Sequence, residues 1–131
     1  MSDWIAALSN PKPILAVYGG ALPSLDRVYV QELTLSPNGP ALVVRLDVME
    51  FPVDPPAKWV RDEMNVVQLE LTFGALQSVK VTHFSLNPIC NFKIQKNGSV
   101  TFSGESDSVD FQGVSDAVLL TKISAYQRGA G

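Results

Sequence analysis

The chain has 131 residues, 46% of them apolar, with ten basic against thirteen acidic side chains and a formal net charge of -3. That length suits one domain spanning 1–131 with a substantial core, and the apolar fraction excludes wholesale disorder. The mildly acidic balance argues against a nucleic-acid binder, which concentrates basic side chains on one face, and a lone Cys90 excludes an intramolecular disulfide scaffold.

The opening residues, Met1-Ser2-Asp3-Trp4, lack the basic start and apolar run of a signal peptide. No stretch approaches the roughly 18 apolar residues of a membrane span. A cytoplasmic location without membrane association is the default expectation. Residues 1–20 read as a helical segment. Asn10 is placed to cap a helix whose first turn accepts Pro11 or Pro13, with Ile14, Leu15, Val17 and Tyr18 on one side and Gly19-Gly20 as the stop. Trp4, Ile5 and Leu8 suit a preceding turn packed on the same core.

From residue 26 to 126 the period changes to that of antiparallel strands. Val28 and Val30 share one parity and Leu33 and Leu35 the other, which predicts a bulge near Gln31-Glu32. Ser36-Pro37-Asn38-Gly39-Pro40 is dense in turn formers, and Leu42, Val44, Leu46 and Val48 then give one apolar face. Phe51 to Asn65 breaks the pattern with Pro52, Pro55 and Pro56, and reads as a long loop of the kind that more often carries function than not. Strands near 66–74, 77–86, 89–96, 99–104, 108–112 and 115–126 follow, with a tight turn at Asn97-Gly98. The fold class is mainly β (α+β), with the short N-terminal helix packed on the sheet. About eight strands would have to curl or split, so a curved sheet or two-layer, sandwich-like meander is favoured over a closed barrel.

Catalytic equipment is sparse. Zinc-type sites need several Cys or His ligands, and only His83 and Cys90 exist. By parity both fall on apolar faces, where a satisfied histidine and an inert thiol are the common outcome. No Gly-rich phosphate loop, nucleophile elbow or His-Glu-x-x-His stretch is present. Glu105, Asp107 and Asp110 lack calcium-loop spacing and read as a solvated hairpin tip. No metal, cofactor or catalytic residue is therefore expected. The segment from Asp47 to Glu63 is more informative. Glu50, Asp54, Asp62 and Glu63 surround Trp59, an arrangement that suits a protein-binding hot spot steering a basic partner; the plainer reading has Trp59 folded back as a plug.

Several of these segments together resemble the immunity protein 50 family of bacterial polymorphic toxin systems. The similarity runs from Asn10-Pro11 and the Ile14–Gly19 helix through Pro23-Ser24-Leu25 and the strand from Leu42 to Glu50. It resumes at Val67–Phe73, Phe84 and Asn87-Pro88-Ile89. One departure stands out: where the family carries His-Asp after the Pro-Ser element, this chain has Asp26-Arg27. The resemblance implies a non-catalytic antidote that binds and neutralises a cognate toxin protein, and acidic patches suit a nuclease toxin with a basic cleft. A different class of function also fits a curved sheet: a small apolar ligand held near Phe73, Phe84, Phe92 and Phe102. Val43 and Met49, on an otherwise polar face, and the sheet's edge strands are the features that favour a homodimer.

Overall fold

Among residues 3–129, which the computed structural model describes, six antiparallel strands carry the fold: β1 (Val28–Ser36), β2 (Ala41–Val48), β3 (Val66–Phe84), β4 (Ile89–Asn97), β5 (Ser99–Glu105) and β6 (Val109–Tyr126). Three short helices accompany them: α1 (Asp3–Ala7), α2 (Lys12–Tyr18) and α3 (Ala57–Arg61). The mainly β, antiparallel expectation with a short helix at the N-terminus holds. The curvature goes further than the sequence suggested, because the sheet closes in the order β1-β2-β3-β6-β5-β4 and back to β1.

Two three-stranded meanders, β1-β2-β3 and β4-β5-β6, are joined along β3 and β6. These two long strands also explain why eight expected segments became six strands. The first half of β3, up to Gly74, lies between β2 and the end of β6. From Leu76 onward β3 has left β2 and pairs with the start of β6, which in turn pairs with β5. Between the expected strands 66–74 and 77–86 the chain makes a bend in place of a break, with Ala75 at φ 49° and a register shift between Leu76 and Ser78, and β3 passes through it from one layer to the other. Strands that switch layers at bulges form the corners of such closed sandwiches. The final closure is short: Val28 pairs with Cys90 and Tyr29 with Ile89.

The expected bulge in β1 is present, with the register shifting between Val30 and Glu32 so that Gln31 is the extra residue. It brings Leu33 and Leu35 to the side of Val28 and Val30. Inside, Phe73 stacks on Phe102 at 4.1 Å between ring centroids, and Phe92 lies 5.3 Å from Phe111 and 6.1 Å from Phe73. Two glycines make room for these rings. A Cβ on Gly113 would collide with the Phe102 ring and sit 2.5 Å from the Ser78 carbonyl oxygen; one on Gly104 would sit 2.7 Å from Phe111 and 2.8 Å from the Cys90 sulfur.

The N-terminal helices close one side of this core. Trp4, Ile5 and Leu8 are buried, and the Trp4 indole N–H donates to the Pro23 carbonyl at 3.0 Å. α2 buries Ile14 and Tyr18, and after it the Gly19 N–H bonds to the Leu15 carbonyl. Asn10 does not cap α2 as its sequence position suggested. Its side chain donates to the Leu120 carbonyl and accepts from the Leu120 N–H, both at 2.8 Å, so it completes the backbone bonding of β6. Among the described residues no helix is long and apolar enough to cross a membrane.

Candidate functional site

The proline-broken segment between β2 and β3 is ordered by a chain of local bonds. After Pro56 the Trp59 N–H closes onto the Pro56 carbonyl at 2.9 Å and starts α3, a single helical turn inside the expected loop. Asp62 ends it by donating its N–H to the Lys58 carbonyl, and Glu63 follows in the left-handed region at φ 55°. The far end is pinned to the C-terminal strand. The Asn65 N–H donates to the Tyr126 carbonyl, while the Asn65 side chain donates to the Arg128 carbonyl and accepts from its N–H. At the near end the Tyr18 hydroxyl donates to the Glu50 carbonyl at 2.7 Å. Burial, followed by the Glu50 charge, raises the Tyr18 pKa and keeps that donor proton in place.

The five residues singled out from sequence take different parts. Trp59 is half-buried, tilted against Phe51 at 5.9 Å and packed on the core, so it forms a platform under the segment. Glu50 is exposed but occupied: its carboxylate accepts from the Ser24 N–H at 3.0 Å and the Ser24 hydroxyl at 2.9 Å. Asp54, Asp62 and Glu63 face solvent, and Asp62 meets Arg61 only at 3.8 Å between two exposed side chains. The residues missed by sequence reasoning are apolar. Val53 is 84% exposed and Val60 62%; Met49, already singled out for self-association, is exposed where the segment begins. The signal was available for Val60: once Trp59 turns inward, its neighbour one residue along the helix points elsewhere.

Ser24 links this segment to a second one. Its hydroxyl also accepts from the Asp26 N–H at 3.4 Å, and the Arg27 N–H donates to the Asn91 side chain at 2.9 Å. Asp26 and Arg27 are both exposed and sit two and three residues beyond the Glu50 contact.

Asp47, the first acid of the stretch, lies elsewhere in kind. It is only 4% exposed, on the outer face of β2, and accepts from Gln31 at 2.8 Å, from Gln68 at 3.1 Å and from the Tyr126 hydroxyl in a short bond, with Arg128 at 3.7 Å. Burial and the bond to Asp47 raise the Tyr126 pKa. Every donor around this carboxylate comes from a different strand or the tail, so it ties the β1 bulge to β3 and the C-terminus.

The remaining candidates are kept apart. Cys90 is buried, as parity indicated, and burial pushes its thiol up to about 11. His83 is exposed, contrary to the parity reading, because the register shift between Val81 and His83 takes it off the face of Val79 and Val81. Glu105 pairs with Asp110 across the β5–β6 hairpin, and among the described residues no group of three or more His, Cys, Asp or Glu is arranged to hold a metal. The place named for an apolar ligand is filled by the Phe73, Phe92 and Phe102 rings, and Phe84 lies outside it, exposed. The family model described as immunity protein 50 matches residues 10–126. No curated protein and no solved structure matches the chain.

Proposed function

The chain belongs to the immunity protein 50 family, and on that premise we propose that it binds a cognate bacterial toxin protein and neutralises it by occupying its surface, without catalysis. The surface we assign to this contact is the segment from Met49 to Glu63. One observation carries the assignment: Val53 and Val60 stand out into solvent beside Asp54, Asp62 and Glu63, on a backbone fixed at both ends. Exposed apolar anchors within a charged rim are the usual composition of an interface centre and its border. A pre-ordered backbone also lowers the entropy lost on binding.

Trp59 and Glu50 contribute by support: the first braces α3 against Phe51, the second holds the turn that presents Asp26 and Arg27. Those two exposed side chains extend the same surface and set which toxin is accepted. The acids speed encounter with a basic cleft such as that of a nuclease. The cytoplasm is the compartment where such an antidote protects its producer.

Co-expression with the toxin domain encoded beside it tests the function. Growth should be rescued and the two proteins should purify together; toxicity unchanged by co-expression, with no complex recovered, overturns the proposal. Val60→Asp should weaken the complex by more than about tenfold while leaving the fold intact. Unchanged affinity in Val53→Asp and Val60→Asp moves the contact away from this segment.

A further inference from the structure

Between Glu50 and Asn65 the proline-broken segment is joined to the barrel by packing alone. Among the described residues, every hydrogen bond made by residues 51–64 stays within that stretch, as from Trp59 to Pro56, Asp62 to Lys58 and Met64 to Trp59. Pro52, Pro55 and Pro56 bring no backbone donor, and α3 is one turn of five residues without a side-chain cap, too short to hold itself in water. Phe51 and Trp59 lean on each other and on the core. The order of this surface is therefore decided at its two ends.

The ends are built differently. At Glu50 the bonds come from Tyr18 and Ser24, on the N-terminal side of the fold. At Asn65 all three come from residues 126–128. The Asn65 N–H donates to the Tyr126 carbonyl at 3.0 Å; its side chain donates to the Arg128 carbonyl at 2.8 Å and accepts from the Arg128 N–H at 2.9 Å. The side-chain amide thus continues the pairing of β3 with β6 past their last pair, Val66 with Tyr126. The same tail also reaches the other root of the segment. The Tyr126 hydroxyl and the Arg128 guanidinium both meet the buried Asp47 carboxylate, two residues before Met49, and Arg128 is its one ion-pair partner among the described residues.

We propose that residues 126–128 are a clasp that keeps the Met49–Glu63 surface in its binding form, with Asn65, Arg128 and Asp47 as positioning residues that act without touching the partner. The inference rests on the assignment of that segment to the toxin. Its physical content is entropic: a surface already ordered in the free protein loses less freedom on binding than one the partner must order. The two side chains that can be removed singly differ in strength. Asn65 makes two side-chain hydrogen bonds, whereas the Arg128 guanidinium is 57% exposed and only 3.7 Å from Asp47, so water screens it.

Hydrogen exchange on the free protein tests the clasp. The Trp59, Asp62 and Met64 amides, bonded inside the segment, report its opening, and Leu69 and Leu71 in β3 report the barrel. In Asn65→Ala the three segment amides should exchange at least about tenfold faster, and in Arg128→Ala about two- to fourfold faster. Arg128→Lys should return them to the parent rate, and Leu69 and Leu71 should not change in any variant. The dissociation constant for the toxin domain encoded beside this protein should rise about tenfold in Asn65→Ala. Segment amides that keep the parent rate in both alanine variants would overturn the proposal. So would acceleration shared equally by Leu69 and Leu71, which would mean general loosening of the fold. Faster segment exchange with the toxin held as tightly as before would overturn the positioning role. The exchange reading involves no toxin, so its failure is distinct from failure of the toxin assignment, which Val60→Asp reads.

Discussion

Individual side chains show how tightly the interior is fitted. Gly113 touches the Phe102 ring and the Ser78 backbone, neither of which can retreat without moving β5 or β3. Gly113→Ala should therefore cost about 1–3 kcal/mol in chemical denaturation, the range for overpacking a filled core. Gly74→Ala, whose Cβ would meet open space, should stay within about 0.5 kcal/mol. Cys90 makes a pH prediction. Its thiol rises from an ordinary 9.0 in the unfolded chain to about 11 in the fold, so the folded state favours the protonated form. The stability linked to it is complete below pH 9 and lost as pH climbs through 11, on the order of 2 kcal/mol. Tyr18 and Tyr126, both raised above 10.0, add to the same alkaline loss from that pH upward. Equilibrium unfolding against pH should show the decline starting near 9 in the parent and nearer 10 in Cys90→Ala. Thiol reagents should label Cys90 only as fast as the protein opens.

Within the secondary-structure elements, alternation was a good guide wherever strands were regular. Leu42 to Val48 and Val67 to Phe73 point as their parity said, and the β1 bulge was visible because two valines and two leucines disagree in phase. What alternation does not carry is an interruption hidden inside a strand. The shift between Val81 and His83 has no residue signature, so strict alternation puts His83 on the wrong face. The stretch between the expected strands 66–74 and 77–86 is used as a bend, because β6 stays alongside β3 and keeps its backbone paired. Asn10 followed the same logic, as a good cap residue whose amide serves Leu120 instead. Asn10→Ala should thus cost about 1–3 kcal/mol through the unsatisfied β6 backbone, read as a lowered thermal midpoint. The site was half legible: the prolines and acids marked the segment, but the exposed valines appear only once Trp59 is seen to turn inward. Trp59→Ala should then destabilise the protein by roughly 2 kcal/mol as well as weaken binding, whereas Val60→Asp should leave the unfolding curve where it is.

For the molecule as a whole, the closed sheet is the frame that fixes the Met49–Glu63 segment at both of its ends. The Met49–Glu63 segment combines apolar anchors with net negative charge, so association with a basic toxin should slow as salt is raised while dissociation changes little. Charge reversal at Asp54, Asp62 and Glu63 together should lower the on-rate by about tenfold at low ionic strength, measured by stopped-flow mixing. Under the proposed function neutralisation is binding and nothing more, which a titration of the toxin's activity with this protein would read out. Inhibition should be immediate, with residual activity falling linearly to an end point at one chain per toxin molecule; inactivation that deepens with time at a small fraction of an equivalent would mean turnover and would overturn that reading.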